Sequence, residues 1–158
     1  MMQVKKYGTV TIKSDFSKIS LIQRSLLKKH CAQVGIIGKD GARKKGARTN
    51  IEIGAGHEFG EGKAPKRSFL KMPLETKLPE KSNKINRLLM NGIKNDSILN
   101  AFFKIGVIGR NIVMEAFASG GFGKWAPISD RLMLKKGRRG GILVDTQQLM
   151  ESVTSRAK

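Results

Sequence analysis

Between residues 98 and 118 the chain carries Leu99, Phe102, Phe103, Ile105, Ile108, Ile112, Val113 and Phe117, a wide apolar stripe at three- and four-residue spacing. A helix of that length cannot leave such a stripe in water, so the pattern predicts a central core helix with other elements laid against it. Gly106 and Gly109 fall inside it. Each costs a helix about 1 kcal/mol relative to alanine, and close approach of another helix is the expected compensation. Ser119-Gly120-Gly121 ends the pattern.

The remaining elements are read from shorter signals. The β-branched run from Tyr7 to Lys13 predicts a strand, and Ser14 or Asp15 offers an oxygen to cap a following helix. That helix would bury Phe16, Ile19, Leu26 and Leu27, expose Lys18, Arg24, Lys28 and Lys29, and end at Gly35. Ile36 and Ile37 could add a brief strand. Ile51, Ile53 and Ala55 alternate with Glu52 and Gly54, the period of a half-buried strand. From Phe69 onward Pro73 and Pro79 predict a broken or kinked start to a helical segment that resumes at Ile85, Leu88, Leu89 and Ile93. Asn95-Asp96-Ser97 reads as a turn, and near the end Asp145 or Thr146 caps a last amphipathic turn through Leu149, Met150 and Val153. A chain of 158 residues fits one domain. The expected fold is α+β: a small antiparallel sheet packed against long helices, with basic loops, expected to be mobile, at about 38–50 and 129–141.

Charge narrows the function. With 31 Lys and Arg against 12 Asp and Glu, the formal net charge of +19 calls for polyanionic company. Residues 1–50 hold 12 basic and 2 acidic side chains, residues 51–123 hold 11 and 7, and residues 124–158 hold 8 and 3. The basic residues cluster as Lys39, Arg43, Lys44, Lys45 and Arg48, and again as Arg131, Lys135, Lys136, Arg138 and Arg139, both in glycine-containing stretches. They fit either DNA phosphate or acidic protein partners. One Trp, one Tyr and seven Phe, mostly at core-like spacing, make no platform for stacking single-stranded bases. Trp125 is either a core plug or an interface anchor. The lone Cys31 excludes an internal disulfide and agrees with assembly in a reducing cytoplasm. No stretch approaches the ~18 apolar residues of a membrane span, and the N-terminus lacks a signal-peptide core.

Catalytic patterns fail at identifiable positions. His57-Glu58 would need a second histidine at position 61 to hold zinc, and Glu61 stands there. Gly54, Gly56 and Gly60 miss the dinucleotide fingerprint because Phe59 occupies the place of its third glycine. Gly41 and Gly46 have the spacing of a phosphate loop, but Ala47 replaces its lysine. His30 and Cys31 read as a partly buried helical pair, since adjacent helical residues point in different directions. No catalysis, metal or cofactor is expected.

Two groups of motifs carry a resemblance. Gly56-His57-Glu58-Phe59-Gly60, then Ala64-Pro65-Lys66-Arg67-Ser68-Phe69-Leu70, resembles the "HEFG … PARPFL" signature of the phage virion morphogenesis, or tail completion, proteins, with Lys66 for alanine and Ser68 for proline. Ile105-Gly106, Ala118-Ser119-Gly120 and Trp125-Ala126-Pro127-Ile128-Ser129 are similar to the same family's "IG … W.PLS" run. Lys136-Gly137 and Ile142 to Leu149 resemble its "KG … LVDTGxL" ending, with Asp145 and Thr146 in place and Gln147 where that motif has glycine. The resemblance covers roughly residues 34–154 and keeps the motifs in order. It implies a non-catalytic α+β subunit of a ring, commonly hexameric, at the head–tail junction of a tailed phage, touching neck, connector and tail tube proteins and packaged double-stranded DNA without sequence preference. Such a subunit would be made in the host cytoplasm and end in the virion. It also implies a C-terminal strand, necessarily short because only Ser152 to Lys158 remain. On this reading Arg43, Lys44, Lys45, Arg138 and Arg139 line the lumen or meet acidic neighbours, and the turn from His57 to Phe59 packs with Phe69 at the subunit edge. The alternative is a free-standing basic DNA-binding protein.

Overall fold

In a computed structural model of the chain the described residues are 2–7, 10–15, 23, 28–38, 48–62, 65–129, 142–143 and 147–158. Their order is β1 (Met2–Tyr7), β2 (Val10–Asp15), β3 (Ala32–Ile36), α1 (Asn50–Phe59), α2 (Lys71–Lys77), a 3-10 turn (Pro79–Lys81), α3 (Ser82–Lys94), α4 (Ile98–Ala118), α5 (Gln148–Glu151) and β4 (Val153–Ala157). The fold is α+β. Among the described residues no helix is long and apolar enough to cross a membrane.

α4 organises the rest, and it has the bounds that its apolar stripe predicts. Ala101, Ile112, Val113, Ala116 and Phe117 are buried along it, and α2, α3, β3 and β4 all pack on it. Its glycines have the packing reason expected of them, but their nearest neighbours are strands of the sheet, with Leu74 of α2 next at 3.5 Å from a Cβ on Gly109. A Cβ on Gly109 would lie 2.9 Å from Val34 Cγ2, and one on Gly106 would lie 3.3 Å from Ser155 Cβ. The Arg110 guanidinium adds a 2.9 Å hydrogen bond from Nε to the Val153 carbonyl of β4. On the α3 side a Cβ on Gly92 would come within 2.8 Å of Ala101 Cβ, so small residues set that spacing too. α3, the Asn95–Ser97 turn and the kinked start around Pro73 and Pro79 agree with the sequence reading.

The described residues form two antiparallel two-stranded sheets. In one, β3 and β4 run from Ala32 opposite Ala157 to Ile36 opposite Val153, so the short C-terminal strand is real. In the other, β1 and β2 run from Met2 opposite Asp15 to Tyr7 opposite Val10. Only the second strand of this hairpin was expected, as Tyr7 to Lys13.

Several expectations fail here. Ser14 and Asp15 end β2; most of the helix predicted after them lies outside the described residues, and Gln23 within it is helical. Gly35 does not end a helix but sits within β3, opposite Thr154. His30 and Cys31 are not helical. Cys31 exchanges both backbone hydrogen bonds with Lys158, at 2.8 and 3.1 Å, and the His30 ring lies 5.8 Å from that of Phe102. The largest correction is at 51–55, where the alternation Ile51, Ile53, Ala55 belongs to helix α1 and not to a strand. A capping box explains it. Thr49 accepts the Glu52 N–H while the Glu52 carboxylate accepts the Thr49 N–H at 2.7 Å, so two amides at the helix start are satisfied.

Candidate functional site

Some of the residues that carry the family resemblance, from the segments 56–60, 65–70, 125–127 and 147–149, meet in one buried cluster. Glu58, near the end of α1, is only 7% exposed. Its Oε2 accepts the N–H groups of Phe69 and Leu70, both at 2.9 Å. Its Oε1 accepts the Lys71 N–H at 3.1 Å and the Ser68 hydroxyl at 2.6 Å. Ser68 Oγ in turn accepts the Met72 N–H at 2.9 Å. These are the amides at the start of α2, a helix whose N-cap, Leu70, has no capping side chain of its own. Pro73 has no N–H to satisfy. A carboxylate from a different helix thus closes the N-terminus of α2, where the helix dipole favours negative charge.

The loop before α2 is tied down from the other side. Arg67 donates from Nε to the Ala126 carbonyl at 2.8 Å and from Nη2 to the Pro127 carbonyl at 2.9 Å. Trp125 donates its indole N–H to the Ser68 carbonyl at 2.9 Å. Below these bonds the rings of Phe69 and Phe117 lie 5.4 Å apart, and Trp125 meets Phe117 edge-on at 5.7 Å. Leu149 of α5, Val113, Ala116 and Val153 complete this core. Gly54 lets α1 reach it, since a Cβ there would sit 2.9 Å from Ile36 Cδ1 and 3.2 Å from Phe69 Cζ.

The electrostatics are local. His57 is held below its ordinary value by burial first, then by Arg67 and Arg48, against the opposing pull of Glu61, so its imidazole is neutral at pH 7. Its Nδ1 is buried without a hydrogen-bond partner among the described residues, while its carbonyl accepts the Arg67 N–H at 2.8 Å. Burial also lowers the Arg67 guanidinium. Glu52 is held low by its hydrogen bonds to Thr49. Among the described residues no group of three His, Cys, Asp or Glu is placed to hold a metal ion.

The sequence-selected residues therefore divide. Glu58, Arg67, Phe69, Trp125 and Leu149 are in or against the cluster. Trp125 is a core plug, 6% exposed. Phe69 corrects the expectation that it packs at a subunit edge, because it is wholly buried at the centre of the core. His57 and Gly60 flank the end of α1, Phe59 projects outward at 75% exposure, and Pro65 and Pro127 are exposed. Arg48 is not free for a phosphate, being paired with Glu61 at 2.7 Å. Lys39, Arg43, Lys44, Lys45, Arg131, Lys135, Lys136, Arg138, Arg139, Asp145 and Thr146 lie outside the described residues.

Three features escaped sequence reasoning. Ser68 bridges Glu58 and α2, a role that spacing alone does not reveal. Leu99, Phe103 and Val107, four residues apart on α4, remain 50%, 51% and 37% exposed, although Leu99 and Phe103 belong to the stripe assigned to the core. A groove of about 790 Å³ also opens between β3 and α2 with α4 as its floor, lined by Val34, Ile36, Leu70, Leu74, Leu78 and Ile105. No protein-family model matches the chain, and no curated protein or solved structure resembles it significantly.

Proposed function

We propose that the chain is a non-catalytic structural component of a tailed-phage virion, a subunit of a ring at the head–tail junction that joins tail to head around the DNA channel. The observation that carries this reading is the meeting of motif segments: residues 56–60, 65–70, 125–127 and 147–149, far apart in sequence, come together around Glu58, Phe69, Trp125 and Leu149. Motif residues that hold one another in place behave as parts of a single pattern and not as separate coincidences. Gln147 adds support, because its φ of 58° is a left-handed conformation that glycine adopts without strain, and glycine is what the resembling motif has there. Glu58 is committed to backbone amides and a hydroxyl, a holding role and not proton transfer. The exposed side chains Leu99, Phe103 and Val107, on a chain of charge +19, suit a subunit that meets other proteins and a polyanion.

The net charge also favours a second reading, a free-standing DNA-binding protein, and one experiment separates the two. The purified chain is mixed with its head and tail neighbours, and in parallel with duplex DNA over a range of salt. Assembly onto those neighbours, with weak DNA binding by the free subunit, supports the ring. Tight, steeply salt-dependent binding to duplex DNA by a chain that ignores them would replace it with the second reading.

A further inference from the structure

β3 has an open edge. Because Cys31 and Lys158 exchange both of their backbone hydrogen bonds, the alternation of an antiparallel ladder makes Gln33–Arg156 and Gly35–Thr154 the next bonded pairs. The N–H and C=O groups of Ala32, Val34 and Ile36 therefore point away from β4. Among the described residues no strand lies on that side. Beside it runs the groove of about 790 Å³, whose lining among the described residues is apolar apart from backbone and Gln33 and Arg156 and contains no carboxylate. An unpaired strand edge along an apolar groove is the acceptor half of a strand-addition site.

The donor half is in the same chain. Among the described residues β1 and β2 pair only with each other, so each also has an unpaired edge there, and a two-stranded hairpin alone is marginally stable in water. In β2, Val10-Thr11-Ile12 alternates in the way that a strand laid over an apolar groove requires. Twelve residues, 16–27, separate Asp15 from Lys28; Gln23 among them is helical, and twelve residues span about 18 Å as a helix and about 40 Å when extended. The hairpin can thus reach beyond the body of its own subunit.

We propose that β2 of one copy adds to the free edge of β3 in a second copy, extending the two-stranded sheet to the order β1-β2-β3-β4 across the subunit boundary. This rests on the ring reading and names its joint. Donor and acceptor are different surfaces of one chain, so the contact is head-to-tail, the kind that closes into a ring. The hairpin gains partners for its outer edge, and the acceptor covers its six outward-pointing polar groups and its groove together.

Two full-length variants test it. Val34→Pro removes an N–H that faces the free edge, not β4, and proline is tolerated at such a position. Ile12→Lys places a charge where the groove already holds Arg156. At a concentration where the unmodified chain is assembled, each variant alone is expected to be a folded monomer by light scattering and circular dichroism. Their equimolar mixture is expected to double in mass and stop, since one intact hairpin meets one intact edge. The amides of Val34 and Ile36 should exchange with solvent at least about tenfold more slowly in the assembled chain than in the Ile12→Lys monomer. Assembly of both variants like the unmodified chain, or a mixture that stays monomeric, overturns the joint and leaves the ring standing. An unmodified monomer whose Val34 and Ile36 amides are slow, and become fast on Ile12→Lys, would show the hairpin lying on its own subunit and overturn the second copy as occupant. An unmodified monomer in which those amides exchange freely overturns the joint, and the ring falls with it only if the chain also stays a monomer in the presence of its head and tail neighbours. If Val34→Pro unfolds, Ile12→Lys decides alone through its mass and the exchange of the same amides.

Discussion

The Glu58 cluster and the β3 groove lie on opposite sides of Ile36 and Leu70 and are built on opposite principles. In the cluster nearly every polar group has a partner: Glu58 takes four donors, Ser68 relays to Met72, and Arg67 and Trp125 close on three carbonyls. In the groove a strand edge and a set of leucines face outward. The first region spends its chemistry inside the subunit and the second leaves it for something else. Most residues that look like a motif in the sequence therefore report on how the subunit holds its shape, while the surface suited to assembly takes only Leu70, Ile105 and Gly106 from the motif segments.

The comparison breaks if the cluster proves dispensable. Phe69→Ala should cost about 3–5 kcal/mol, because a wholly buried ring is deleted from the centre of the core. Chemical denaturation reads this directly, and a loss below about 1 kcal/mol would mean that the cluster does not hold the fold. Glu58→Ala should cost roughly 3 kcal/mol by leaving three amides and a hydroxyl without their acceptor in a buried site. Glu58→Gln keeps the shape but turns one oxygen into a donor facing donors, so it should fall between the two. Gln147→Gly should stabilise by about 0.5–1 kcal/mol, visible as a raised melting temperature, because it relieves a left-handed φ of 58°. A fall in melting temperature would remove one support for the resemblance.

The smallest expected effect is on pH. His57 titrates below its ordinary 6.5 in the folded chain, so on acidification the unfolded chain takes up a proton before the folded one does. Its contribution to stability is complete above pH 6.5 and is lost as the pH falls toward the lowered folded value. His57→Gln should flatten that part of the stability profile, and an unchanged slope would show that the imidazole is not desolvated as described.

Legibility in the sequence followed the range of the forces involved. α4 could be read from its period because a long apolar stripe is a local property, and α3 and the turn at Asn95–Ser97 followed for the same reason. At 51–55 two periods compete, since Ile51, Ile53 and Ala55 fit a strand's alternation while Gly54 and Gly56 argue against a helix. The local signal that could have decided it was Thr49 with Glu52, a capping box three residues apart. What fixes the helix further is not local at all: Gly54 packs against Ile36, Phe69 and Leu149, and Glu58 reaches residues 68–71. The glycines of α4 carry the same lesson. Their need for a close neighbour was legible, but the identity of that neighbour depended on β3 and β4 pairing across more than a hundred residues. The site was legible as a set of motif residues, whereas the groove was not, because an open strand edge exists only once its partner strand is known.

The most direct test of the account is the mass of the purified full-length chain by light scattering at physiological salt, alone and with its head and tail neighbours. A closed oligomer, or one formed on meeting those neighbours, is the predicted result. A monomer that stays a monomer in their presence and binds duplex DNA tightly would contradict it.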